Sequence, residues 1–170
     1  MDVNTIISKL EDNAHVFSSL LAELSQEEYT WKIAPEKWSI LEIVCHLKDE
    51  EVEDFRTRVR HVLAHPELPP PKNDPVGWVS EREYSDQNFQ DKLASFLRER
   101  ERSVIWLHSL EDPDWESFWQ HPELGPQSAG HYLTNWLAHD YLHMRQIVRV
   151  KYDYLNVLSR ESLSYAGNWK

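Results

Sequence analysis

The chain predicts an all-α fold, a four-helix bundle, on three observations. Apolar residues recur at three- and four-residue steps through four long stretches, and almost no stretch alternates as a strand would. Only four glycines occur in 170 residues, and none falls inside the first three helical patterns. Two long proline-bearing stretches, PELPPPKNDPVGW and EDPDWESFWQHPELGPQ, separate the second pattern from the third and the third from the fourth.

The first helix carries Ile6, Leu10, Phe17, Leu20, Leu21 and Leu24 on one face. The second opens at KWSILEI, where Ser39 and Glu42 have capping-box spacing and Trp38 can staple against Ile43. It continues through Val44, Leu47, Phe55, Val59 and Leu63, and Pro66 stops it near His65. The third starts near Ser85 or Asp86 and carries Phe89, Leu93, Phe96, Leu97, Val104, Leu107 and Leu110. The fourth runs from about Ser128 to Val150, with a short helical addition from Tyr154 to Ser164. Neither half of the chain has enough apolar faces to close a core alone, so residues 1–170 are expected to form one domain.

Composition narrows the class. A chain of this length buries roughly 70% of its unfolded surface and needs no covalent staples. Cys45 is the one cysteine, so no intrachain disulfide can form, and a reducing, cytoplasmic compartment is expected. The N-terminus has acidic residues where a secretory leader would be basic and then apolar, and no window is apolar enough to span a bilayer. The net charge of −11 argues against nucleic acid or an anionic membrane as a partner. The arginines of FRTRVRH and FLRERERS alternate with carboxylates or recur on a helical face, as on a solvated surface.

Histidine is the residue type that points to chemistry. In NWLAHDYLHMRQI, His139 and His143 lie about 40° apart on one helical face and one turn apart along it, among large apolar side chains. An unpartnered neutral imidazole is costly on such a face. His61 and His65 have the same spacing but close the second helix before Pro66, where an imidazole complements the helix dipole. If the second and fourth helices are neighbours, His46 can join His139 and His143, giving three nitrogen ligands with coordination positions open, as in reactive rather than structural zinc sites. On the residues alone, ligands and satisfied core histidines both stand. Cys45 points about 100° away from His46 and reads as a packed thiol. Asp140 follows His139 where a zincin would carry Glu, so the motif is not that of such a protease.

KWSILEIVCHLKDEE, followed about ninety residues later by HYLTNWLAHDYLHMRQI, resembles the paired signature of the DinB/YfiT-like superfamily. The resemblance implies that family's four-helix bundle, with His46, His139 and His143 as ligands of a divalent transition metal, zinc or nickel before iron. It also implies a small-molecule substrate, hydrolase or thiol S-transferase chemistry (the latter with a low-molecular-weight thiol), and a homodimer. A non-catalytic metal-binding or dimerisation module related to stress response is the alternative. Two further residues are candidates for the chemistry. Glu50 follows His46 by four residues and shares its face, with Asp49 and Glu51 to the sides, although all three also suit a solvated surface. Gln146 can orient a water or substrate, or merely bond within the bundle. Trp115, Phe118 and Trp119 are candidate pocket walls, with ordinary loop packing as the other use.

Overall fold

A computed structural model describes residues 2–167 and Trp169; Met1, Asn168 and Lys170, at the ends of the expected single domain, lie outside the described residues. Four long helical rods form the bundle. The first is α1 (Val3–Leu21). The second is a continuous rod in three parts: α3 (Ile40–Asp49), a π-helical stretch (Glu50–Phe55) and α4 (Arg56–Ala64). The third is α6 (Phe89–His108) and the fourth α7 (Ala129–Ser159). Between them lie two short helices, α2 (Gln26–Thr30) and α5 (Trp78–Glu81), and a hairpin of β1 (Phe118–His121) with β2 (Gly125–Ser128). None of the helices described is long and apolar enough to cross a membrane.

Side-chain pairs give the helix directions. His46 meets His143 and Arg58 meets Tyr132, so the second rod and α7 run antiparallel. Glu51 meets Arg100 and Arg56 meets Ser103, so the second rod and α6 run parallel. Parallel neighbours that follow one another in sequence need a connection that returns the length of the bundle, and residues 65–88 supply it. α1 packs between α6 and α7, diagonal to the second rod.

The helix starts follow the local chemistry. Ser39 accepts from the Glu42 amide while Glu42 accepts from the Ser39 amide at 2.7 Å, the reciprocal cap expected at this position. Ser25 and Glu28 form a second such box, which opens α2, a helix the sequence reading did not anticipate. Asn88 caps α6, so that helix starts at Phe89; Ser85 and Asp86, where its start was expected, belong to a separate 3₁₀ turn, Tyr84–Asp86. Ser128 accepts from the His131 amide and starts α7 at the expected place.

Other expectations need correction. α1 ends at Leu21, before Leu24. α7 does not stop near Val150 but runs to Ser159, taking in most of the expected C-terminal addition; Leu163–Ala166 remains as a 3₁₀ turn. Nothing between Val150 and Ser159 breaks a helix, and Arg149 pairs with Asp153 one turn on at 2.7 Å. The hairpin falls inside what was read as irregular connection, and Gly125, at φ +75°, supplies the left-handed residue that its turn requires.

The core has two apolar clusters with a polar layer between them. One gathers Phe17, Ile43, Val44, Trp78, Phe89 and Phe96; the other gathers Ile6, Leu10, Phe55, Val104, Leu133 and Trp136. Between them each rod contributes buried polar groups: Asn13, Glu51, Arg100 and Asp140. Arg100 lies in FLRERERS, expected to be a solvated surface, yet it is only 1% exposed. It donates to Glu51 at 2.9–3.0 Å, to Asp140 at 2.6 and 2.7 Å and to the Leu10 carbonyl at 3.1 Å. Asn13 donates to Asp140, and the Trp136 indole donates to Glu51, both at 2.9 Å. Its place in the stripe Phe96, Arg100, Val104 gives the reason: spaced four apart, the three share the core-facing side.

Removing the guanidinium would strand two buried carboxylates. Arg100→Met is expected to cost about 3–5 kcal/mol and to lower the thermal midpoint by roughly 10 °C or more. The exposed Arg102→Met, measured beside it by denaturant and thermal melts, is expected to shift stability by less than about 1 kcal/mol.

Candidate metal centre

The second rod and α7 bring the three histidines to one point, at the level of the polar layer. His46 comes from the second turn of α3; His139 and His143 come from the middle of α7. Their candidate ligand nitrogens all lie within 4.8 Å of one another. His46 Nε2 is 3.2 Å from His139 Nε2, and His139 Nε2 is 3.0 Å from His143 Nε2. Nitrogens bound to one ion at about 2.0–2.1 Å stand about 3.0–3.4 Å apart, so this spacing fits a shared metal. Trp38 and Phe55 pack against the outer faces of His46 and His139, with ring centroids 4.8 and 4.9 Å apart.

The nitrogens that face one another carry few protons. Gln146 accepts from His143 Nδ1–H through Oε1 at 2.8 Å, which leaves the His143 Nε2 lone pair directed at the other two rings. Burial, reinforced by the neighbouring His143, pushes His46 down to about 3; burial and the two neighbouring rings also lower His139. His143 is lowered too, chiefly by burial. Three neutral imidazoles aiming nitrogen atoms at one another cannot all satisfy one another by hydrogen bonds, whereas a cation can accept a lone pair from each.

The carboxylates beside His46 are not a solvated surface. Asp49, Glu50 and Glu51 are all buried. A π-helical stretch starts at Glu50, where the Arg56 amide bonds the Glu51 carbonyl five residues back, and the rod is covered on nearly every side here, so both glutamates are buried. Glu51 is consumed by Arg100 and Trp136. Asp49 is held by Lys48, Arg82 and the Tyr84 hydroxyl, at 2.8, 2.6 and 2.7 Å. Glu50 differs: its Oε1 is buried without a partner, and burial together with Asp54 pushes its carboxyl up to about 8. At neutral pH it therefore holds a proton.

The remaining candidates separate. Gln146 touches the histidine set through His143. Cys45 is buried, with its thiol pushed up to about 12 by burial, and its Sγ faces the Tyr84 carbonyl at 3.9 Å, as a packed thiol. Trp115 packs on the second apolar cluster, Phe118 is half exposed, and Trp119 lines a cavity beside α4. His61 faces the Leu68 carbonyl at 3.0 Å at the end of α4, away from the triad. The sequence reading missed the Arg100 network behind the site; the interrupted apolar stripes at Asn13 and Arg100 were its signal.

Comparison with known proteins gives a consistent fold. The sequence profile of the DinB superfamily matches residues 9–147, which include all three histidines. Among solved structures, YfiT from Bacillus subtilis, described as "a probable metal-dependent hydrolase with an unusual four-helix bundle topology", aligns with a TM-score of 0.78 at 16% identity, over 89% of this chain and 87% of that one. No curated protein matches the chain.

The burial of these groups makes the stability of chelator-treated protein depend on pH. Between about pH 6.5 and the depressed folded values, unfolded histidines take up protons that the folded ones refuse, so stability falls as pH falls through this window. Glu50 acts in the opposite sense: folded, it keeps a proton that the unfolded carboxyl releases above about 4.5, so its contribution fades as pH rises toward 8. Three histidines outweigh one carboxyl below pH 6.5. Thermal melts are expected to peak near pH 6.5, with the acid limb shallower in His139→Leu and the limb above pH 6.5 flattened in Glu50→Gln.

Proposed function

The chain belongs to the DinB superfamily, and from that membership and the geometry above we propose that it is a metal-dependent hydrolase of a small molecule. The observation that carries the reading is the convergence of three neutral Nε2 atoms, from the buried His46 and His143 and the partly buried His139, one with its tautomer set by Gln146. His46, His139 and His143 would hold the ion, and an all-imidazole set suits zinc or nickel, with iron also compatible. Three protein ligands leave coordination positions for a reactant. A bound divalent ion would supply Lewis acidity, drawing the pKa of a water or thiol ligand toward neutrality.

The chain's own residues supply the rest. Gln146 keeps His143 Nδ1 protonated and its ring oriented. Trp38 and Phe55 keep two of the rings against apolar surface, which excludes water from their flanks. Glu50, one turn beyond His46 and buried, titrates close to neutral pH, where a carboxyl passes protons in either direction with little driving force lost. We assign it the proton-transfer role. A low-molecular-weight thiol in place of water would use the same open positions and make the reaction a thiol transfer.

Elemental analysis of protein purified without a His-tag tests the centre. About one equivalent of transition metal is expected in the wild type and little in His143→Ala, while Gln146→Ala is expected to weaken metal binding by about 10- to 100-fold. Absence of metal after reconstitution with zinc, nickel and iron would remove the enzyme reading. Against a panel of ester, amide and thiol-transfer substrates, Glu50→Gln is expected to retain metal and lose about 100-fold or more in turnover. Undiminished turnover in that variant would reject the role assigned to Glu50.

A further inference from the structure

A second place in the molecule has the makings of a ligand site. Between α4, the proline-rich arm and the hairpin lies a cavity of about 510 Å³, lined by Arg58, Lys72, Asn73, Trp119, His121 and the prolines at 69–71. Arg58 lies twelve residues along the second rod from His46, about three helical turns, so the cavity does not include the histidines, although Asp54, which Arg58 bonds, also faces Glu50.

Its polar groups are already oriented. Arg58 Nε bonds Asp54, Nη2 donates to Asn73 Oδ1 at 2.9 Å, and the guanidinium lies 5.6 Å from the centre of the Tyr132 ring. Asn73 in turn donates to Asp54, which closes the set. Nε and one proton of Nη2 are so engaged, and the remaining N–H groups are shared between the Tyr132 hydroxyl and a ligand. His121 Nδ1 accepts from the Glu123 and Leu124 amides, both at 3.1 Å, which places the proton of the neutral ring on Nε2 and makes that atom a donor. Trp119 meets His121 edge to face, with ring centroids 5.0 Å apart, and together with the prolines it contributes apolar wall. Asp54 offsets the charge of Arg58, and among the described residues Lys72 forms no ion pair with a carboxylate, so the lining carries one uncompensated positive charge.

We propose that this cavity binds a small flat monoanion, an aromatic or heteroaromatic carboxylate. Its ring lies against Trp119 and the prolines, and its carboxylate accepts from Arg58, His121 and Lys72. Recognition of this kind uses a flat apolar body for affinity and a few convergent donors for orientation.

Benzoate is the probe and benzamide its neutral counterpart, each titrated into ¹⁵N-labelled, chelator-treated protein. Binding is read from the Trp119 indole and the Glu123 and Leu124 backbone amides by NMR. Benzoate is expected to shift these resonances saturably and to bind at least about tenfold more tightly than benzamide. Lys72→Gln is expected to weaken benzoate by about threefold to tenfold and leave benzamide unchanged, while Trp119→Leu weakens both. Lys72 is exposed and Trp119 sits on the hairpin, and an unchanged melting temperature shows that each variant is folded. Equal affinity for the two probes, shifts confined to other parts of the chain, or benzoate affinity unchanged in both variants would overturn the proposal. Because metal-free protein is used, failure of the metal centre leaves every one of these outcomes readable.

Discussion

The bundle depends on one buried interaction, the clasp of Arg100 by Glu51 and Asp140. It joins three of the four rods directly, and Asn13 and the Leu10 carbonyl bring in the fourth. An apolar core of this size closes in several registers at similar cost, because dispersion and hydrophobic contact have little directional preference. A guanidinium that must find two carboxylates has far fewer solutions. The layer divides the core into two apolar clusters and fixes how far each helix slides against the next. Such a network adds little net stability over a well-packed apolar substitute; what it secures is that a wrong register leaves a charge buried without a partner.

The candidate centre is built on the same layer. Asp140 is held by Arg100, and His139 precedes it on α7; Glu51 is held by Arg100, and Glu50 precedes it on the second rod. Pinning one residue of each pair aims its neighbour. On the second rod the segment is covered on nearly every side, from Ile40 through Leu47 and from Asp49 to Glu51, so both Glu50 and Glu51 are buried. Behind the histidines the clasp acts in both senses: Asp140 favours positive charge at His143, whereas Arg100 opposes it at His139.

Burial then sets the protonation states on which the chemistry depends. The same desolvation that keeps His46, His139 and His143 neutral keeps Glu50 protonated, because each charged form loses its water. Lone pairs are thereby available for a metal at the pH at which the carboxyl still has a proton to give. The hairpin and proline-rich arm lie at the other end of the second rod, so small-molecule recognition there is spatially distinct from the metal set.

Much of this was legible in the sequence because it is local. Ser39 with Glu42, and Ser128, mark helix starts through hydrogen bonds that span three residues, Pro66 marks a stop by restricting the residue before it, and His139 with His143 share a face by helical geometry alone. Spacing also hinted at more than was read from it: Arg100 stands where the stripe from Phe96 to Val104 demands an apolar residue. What tertiary structure alone decided is which helix faces which. His46 meets its partners across some ninety residues of chain, Glu50 is buried because the other helices cover the second rod on nearly every side there, and Arg100 is inside because two carboxylates from other helices meet it there. A carboxylate or guanidinium is read as solvated until its partner is known, and that partner is fixed only when distant helices pack.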